Sequence, residues 1–345
     1  MIKPKRLRPG DTAAVVSLSR GMLGEKTFIH KFTLARERLE RDYGVHLIAM
    51  PNALKGVEYL YAHPEAQAAD LMDAFRDDSI RAVFCAIGGD DTIRLLPYID
   101  FDVLADHPKI FTGFSDSTTN HFMMRRAGLV SYYGLSLMCD LAEYAEINEY
   151  TRAMMEAVIF EPRERLAIPA SDFYCDETEK VLWKEENMHL ARPRHPRNGY
   201  EILQGSGKVQ GELLGGCLDV FVELMGTPLW PAPEEWRGKL LLLETSEEDM
   251  SPDMLRWYLR GLQAQGILER VNGIVMGRPA VSDKYEPYKA VLRQVVGFEA
   301  GRSDLPILYN VNVGHGYPIG VLPLGLRYEI DCEAAAFTLL ESATD

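Results

Sequence analysis

Three segments of this chain run from an apolar stretch straight into a residue able to do nucleophilic or acid–base chemistry. In KIFTGFSDSTTNHF, Gly113 and Phe114 lead to Ser115, and Asp116, Ser117, Thr118 and Thr119 precede the apolar Phe122 and Met123. A serine at a sharp strand-to-helix turn exposes its hydroxyl beside the unbonded N–H groups of a first helical turn. Those donors suit the oxyanion of an acyl-transfer reaction, although Ser, Asp and Thr also serve as ordinary N-caps. In KLLLLETSEED, four leucines run into Glu244. A buried strand ending in a carboxylate must supply that group with a partner; a histidine N–H is one, an arginine or the next turn another. In NVNVGHGYP, His315 stands between two glycines after an apolar run. Histidine is the usual general base near neutral pH, while many single histidines are structural. Taken together, the three provide a nucleophile, an orienting acid and a base in the chain order Ser, Glu, His.

The elements that must position them follow a repeating pattern. Strand-like runs at 13–18, 45–50, 80–87 and 109–114 alternate with helix-like stretches near 27–42, 64–77 and 117–127. The second of these helices has Pro64 at its first turn and Ala68, Leu71, Met72 and Phe75 at three- and four-residue spacing, the stripe of an amphipathic helix. Such alternation predicts an α/β fold with a parallel sheet covered by helices, whose site lies beyond the carboxyl ends of the strands. Between 161 and 207 the pattern lapses into prolines and charges, which reads as a long surface excursion joining two domains. Beyond it a helix near 216–226 is expected, then a strand at 239–244 and a helix near 252–264 with Ser251 as N-cap and Pro252 in the first turn. A strand at 271–276, a helix near 285–299 and a strand at 307–311 follow. The expected division is an amino-terminal domain over 1–160 carrying the nucleophile, a linker and active-site loop over 161–207, and a carboxyl-terminal domain over 208–345 carrying the acid and base.

Composition narrows the function classes. The 345 residues carry a formal net charge of −14, the wrong sign for a partner whose phosphates must be neutralised by clustered Lys and Arg. No apolar run approaches the ~20 residues needed to span a bilayer. The amino terminus shows no apolar leader and small-residue cleavage site, so no signal peptide is expected. The cysteines at 85, 139, 175, 217 and 332 are odd in number and scattered, which suits a reducing, cytoplasmic setting. None of the eight histidines falls in a compact metal-ligand motif, and neither a catalytic metal nor another cofactor is expected.

A further segment, AIGGDDTIRLL, places Gly88 and Gly89 directly after an apolar run. Without a Cβ, this backbone can approach a substrate oxygen closely, and the Gly89 N–H could act as an oxyanion donor alongside that of Asp116. The competing reading is the GGDGT phosphate-binding motif of kinases acting on NAD or diacylglycerol. Asp91 stands where that motif has glycine, putting a carboxylate where phosphate would approach.

GGDDT, GFSDST, LLLLET and VGHGYP, in this order and at these separations, resemble the L,D-carboxypeptidase family of serine peptidases, and within it the microcin C immunity (MccF-type) branch. The resemblance covers nearly the whole chain. It implies a flavodoxin-like amino-terminal domain and a smaller β-rich α/β carboxyl-terminal domain with the site between them, and a homodimer. It also implies Ser115 as nucleophile, Glu244 as acid, His315 as base, and the backbone of Gly89 and Asp116 as oxyanion donors. The α/β-hydrolases share the Ser–acid–His order but expect G-x-S-x-G, and residue 117 here is serine.

Two activities are open within this resemblance. The cell-wall-recycling members release a terminal D-alanine from murein tetrapeptides. The MccF-type members cleave the amide joining an aminoacyl or peptidyl group to a nucleotide-like toxin. The 161–207 excursion resembles the enlarged loop of the MccF-type, and its Trp183 is a candidate to stack on an adenine face or, alternatively, to anchor the loop. Asp91 and Cys217 complete the candidate substrate-binding residues. Cys217 lies in GGCL, where the MccF-type pattern commonly reads GGNL, so a thiol replaces an amide. A non-catalytic ligand-binding descendant is the remaining alternative, although such a descendant would be expected to lack the nucleophile or the base.

Overall fold

The computed structural model of the chain describes residues 1–248 and 250–345. Its first sheet is built from β1 (Thr12–Val16), β2 (His46–Ala49), β3 (Ile80–Cys85), β4 (Ile110–Gly113) and β5 (Ser131–Tyr133). These five pair in parallel in the order β5-β4-β3-β1-β2, the doubly wound arrangement of flavodoxin-like folds. Interleaved with them are helices α1 (His30–Tyr43), α2 (Val57–Ala62), α3 (Pro64–Arg76), α4 (Phe101–Asp106) and α5 (Thr118–Arg126), with α6 (Glu149–Met155) following β5. On α3 the expected stripe Ala68, Leu71, Met72 and Phe75 is buried. Residues Ala13–Val16 of β1 are fully buried, as strands covered on both faces must be.

The 161–207 excursion is anchored at both ends. Its β6 (Leu166–Ile168) and β9 (Glu201–Gln204) are outer strands of a second, eight-stranded sheet, while β7 (Phe173–Tyr174) and β8 (His195–Pro196) form a separate two-stranded pair. The second sheet continues with β10 (Lys208–Cys217), β11 (Leu240–Glu244), β12 (Gly273–Gly277) and β13 (Ile307–Val311). These four are parallel neighbours at its centre. Helices α7 (Phe221–Leu224), α8 (Pro252–Ala264) and α9 (Tyr285–Leu292) cover this half. Ser251 caps α8 as expected, its Oγ accepting from the Met254 N–H at 3.2 Å. Near the carboxyl terminus, β14 (Leu322–Leu324) crosses back to pair with β5 of the first sheet, while β15 (Arg327–Asp331) and β16 (Ala336–Leu339) extend the second. The carboxyl-terminal stretch therefore ties the two sheets together.

One expected element is corrected. The helix placed near 216–226 begins as the last residues of β10 and becomes helical only from Leu218 onward. Gly215 and Gly216, with φ of 144° and 153°, lie in that strand where β11 and the Thr118 and Tyr133 side chains come too close for a side chain. A Cβ on Gly215 would stand 2.0 Å from the Leu242 carbonyl oxygen.

Candidate active site

Ser115 directly follows β4 and Phe114, and its φ of 62° puts a non-glycine residue in the left-handed region. Such a backbone costs about 1–3 kcal/mol and persists only where its surroundings impose it. Gly88 makes room for it, since a Cβ at 88 would lie 2.7 Å from Ser115 Cβ and 3.3 Å from the Asp116 nitrogen. The Gly88–Gly89 turn is thus pressed against the start of the short 3-10 turn Ser115–Ser117 that feeds α5. Asp116 braces the turn from beneath. Its Oδ2 accepts from the Thr92 N–H at 2.9 Å, the Asp91 N–H at 3.0 Å and the Ser19 hydroxyl at 2.6 Å.

Glu244 is the last residue of β11, fully buried and in register with Cys217 at the end of β10. Its Oε2 accepts from His315 Nδ1 at 2.7 Å and from the His315 backbone N–H at 3.2 Å. Its Oε1 accepts from the Tyr133 hydroxyl at 2.5 Å. Gly314 makes room for the carboxylate: a Cβ there would fall 2.2 Å from it, and φ at 314 is 71°. Burial works against a charge on the imidazole, but Glu244 and then Glu247 outweigh it and raise the His315 pKa well above the usual histidine range. Glu247 Oε2 stands 3.0 Å from His315 Nε2, and that contact holds the Glu247 carboxyl down at about 2. Ser115 Oγ makes no hydrogen bond with His315 among the described residues, because Nε2 is taken by Glu247 instead.

Ser115, His315, Gly88, Gly89 and Asp116 all line one cavity of about 650 Å³. The cavity lies at the carboxyl ends of β3, β4, β10, β11 and β13, where this fold class gathers its ligands. Trp183 and Cys217 line it as well. Trp183 is braced from behind by Lys31, whose Nζ sits 4.1 Å from the ring centre, and by the edge of Phe28. Burial, then Glu244 and Asp219, push the Cys217 thiol well above its usual pKa, which makes it a poor nucleophile. Asp91 is placed otherwise than its candidacy requires. It is 8% exposed, it accepts from Ser19 and pairs with Arg94 at 3.2 Å, and the neighbouring Asp90 takes its place in the cavity wall. Cys217, Glu244 and His315 offer donor atoms within 4.8 Å of one another, the set a metal ion would meet. Both Glu244 oxygens and His315 Nδ1 are already engaged with Tyr133 and each other.

Tyr133 and Glu247 were not among the sequence candidates. Tyr133 ends β5, and its hydroxyl touches Glu244, Thr118 and the Ser115 N–H. Glu247 is visible in ETSEED, but nothing in that run says which acid turns toward His315.

Family models place the LD-carboxypeptidase N-terminal domain on residues 13–134 and the LD-carboxypeptidase C-terminal domain on residues 210–330. A putative carboxypeptidase of Vibrio cholerae is 30% identical over 79% of this chain and 79% of its own length. The chain belongs to the LD-carboxypeptidase family. Among its relatives are a probable murein peptide carboxypeptidase of Bacillus subtilis, 29% identical over 94% of this chain and 90% of its own, and the microcin C7 self-immunity protein MccF of Escherichia coli, 24% identical over 80% and 78%. A solved MccF-like protein of Streptococcus pneumoniae, in complex with AMP, superposes with a TM-score of 0.88 at 35% identity, covering 95% of this chain and 98% of that one. MccF in complex with aspartyl sulfamoyl adenosine gives 0.85 at 22% identity over the full length of both, which supports the family's shared fold.

Proposed function

We propose that this LD-carboxypeptidase family member is a serine hydrolase that cleaves the bond between an aminoacyl or peptidyl group and a nucleotide-like leaving group. The observation that carries this is Ser115, held at a left-handed turn and facing the same cavity as the His315–Glu244 pair. In the proposed cycle Ser115 Oγ attacks the carbonyl carbon and its proton passes to His315 Nε2. Glu244 holds Nδ1–H and stabilises the imidazolium. The Gly89 and Asp116 N–H groups receive the oxyanion, at the positive end of the turn leading into α5. Collapse breaks the carbonyl–nitrogen bond, the leaving nitrogen takes the proton from His315, and water then hydrolyses the Ser115 ester by the same base. Glu247 must vacate Nε2 first. Its side chain is 45% exposed, so it can swing into water as substrate enters.

Trp183 on the cavity wall and the AMP held by the pneumococcal MccF-like protein favour a nucleotide-like leaving group. The second reading, release of D-alanine from a murein tetrapeptide, draws on the Bacillus relative that matches along nearly the whole chain. The test is product analysis by mass spectrometry with the wild type beside Ser115→Ala, using aspartyl or glutamyl sulfamoyl adenosine and a murein tetrapeptide. Serine-dependent release of amino acid from the sulfamoyl adenosine supports the first reading, and release of D-alanine alone supports the second. Equal release by Ser115→Ala would sink both. A homodimer and a reducing cytoplasmic setting belong to the same reading; the five unpaired cysteines suit the latter, and sedimentation velocity tests the former.

A further inference from the structure

The cavity is electrically lopsided. The cations on its wall are already matched: Lys180 with Glu177 at 2.8 Å, Arg192 with Glu143 at 3.0 Å, and Arg20 with Asp90 at 3.7 Å. The end of the cavity beyond Cys217 differs. Asp219, Glu223 and Glu248 line it, and none of them has a cation partner among the described residues. Asp219 Oδ2 accepts from the Ser246 N–H at 2.9 Å and the Cys217 thiol at 3.4 Å. Glu223 Oε2 is buried without a hydrogen-bond partner among the described residues.

A second, separate observation lies on the nucleophile's own turn. Asp116 is 1% exposed and lines the same cavity, and although its Oδ2 is fully used, its Oδ1 is buried with no hydrogen-bond partner among the described residues. Burial, then Asp116, Asp90 and Asp91 in that order, push the Glu223 carboxyl up to about 7, so the two carboxylates feel each other. Buried carboxylate oxygens left without donors are costly. A group that brings positive charge and several N–H donors would relieve that cost, and an ammonium brings three.

We propose that the Asp219–Glu223 end of the cavity is a subsite for an ammonium group on the side chain of the substrate's acyl residue, so that the enzyme prefers basic over acidic or neutral aminoacyl groups. The inference rests on the acyl-transfer reading above, since the subsite is useful only if the acyl group reaches Ser115. An acidic acyl side chain would instead enter among like charges, and the thiol of Cys217 offers it no strong donor.

The experiment uses three ligands of similar size: lysyl, norleucyl and glutamyl sulfamoyl adenosine. Their affinities are measured by calorimetry on the Ser115→Ala protein, so that binding is read apart from turnover, and their cleavage is followed with the wild type. Charge-assisted hydrogen bonds of this kind typically give ~10–100-fold in affinity, so lysyl is expected to bind at least about tenfold tighter than norleucyl, with glutamyl weakest. Glu223→Gln and Asp219→Asn, each in the Ser115→Ala background, should bring lysyl down to norleucyl while leaving AMP affinity in place, which also shows that the variants are folded. Equal affinity for lysyl and norleucyl, or tighter binding of glutamyl, overturns the subsite while serine-dependent cleavage keeps the acyl-transfer reading standing. If none of the three ligands binds or is cleaved, the nucleotide reading fails, and the subsite with it.

Discussion

Replacing Glu247 by glutamine should move the pH dependence of the reaction in a direction fixed by the geometry. The His315 imidazole lies between two carboxylates, Glu244 at 2.7 Å on Nδ1 and Glu247 at 3.0 Å on Nε2. Both favour the protonated ring, and the general base must be unprotonated to accept the Ser115 proton. Activity should therefore rise with pH as His315 loses its proton, at a pH above the ordinary histidine range. Glutamine keeps an acceptor for Nε2–H but removes the charge. Two unit charges ~4 Å apart interact by about 4 kcal/mol at an effective dielectric constant near 20. With the Glu247 side chain 45% exposed, solvent screening brings that to about 1 kcal/mol. At ~1.4 kcal/mol per pKa unit, the acid limb of kcat/KM should shift down by about one pH unit. On the acid side of the wild-type limb the variant should be up to about tenfold faster. The assay is kcat/KM for the acyl-sulfamoyl adenosine that turns over fastest, measured from pH 5 to 9 in buffers of constant ionic strength. An acid limb in the same place for both proteins, or one moved to higher pH, would refute the argument that Glu247 controls the base.

Other substitutions probe the parts separately. Gly88→Ala puts a methyl group 2.7 Å from Ser115 Cβ and 3.0 Å from its Oγ, and the displaced nucleophile should cost about 100-fold or more in kcat with the fold retained by circular dichroism. Tyr133→Phe strips the donor from buried Glu244 Oε1; the orphaned oxygen should lower stability to urea by about 1–3 kcal/mol and also slow turnover. Trp183→Ala should weaken AMP and acyl-sulfamoyl adenosine binding by roughly 1–3 kcal/mol in calorimetry and leave hydrolysis of any murein peptide little changed; equal losses on both would assign Trp183 to loop anchoring.

Much of the site was legible in the sequence because each candidate ended an apolar run. A strand buried on both faces reads as consecutive apolar residues, and its carboxyl end in a doubly wound fold opens on the ligand crevice. That reasoning picked out Ser115 and His315, 200 residues apart yet lining one cavity, and Glu244, which is buried behind it on His315 Nδ1. The strand β10 was not legible, and its hydrogen bonding explains why. Its first half pairs antiparallel with β15 and is half-exposed, whereas its second half pairs parallel with β11 and is buried. The run KVQGELLGGC therefore has no single period, and its last residues were read as the start of a helix. The ends of the 161–207 excursion were equally hidden, because β6 and β9 take their partners from strands more than 100 residues further along. Asp91 and Glu247 show the limit for side chains. Asp91 is one of two adjacent acids, beside Asp90, and Glu247 the first of three in a row, and which of them turns inward is decided by the turn, not by composition.

The central claim is that Ser115 becomes covalently acylated. Wild-type protein mixed with the preferred acyl-sulfamoyl adenosine, quenched in acid within the first turnover and digested, should carry one acyl group on the peptide containing Ser115, with the adduct absent from Ser115→Ala. Turnover without any adduct on that peptide, or an acyl group mapped to Cys217 instead, would contradict the account.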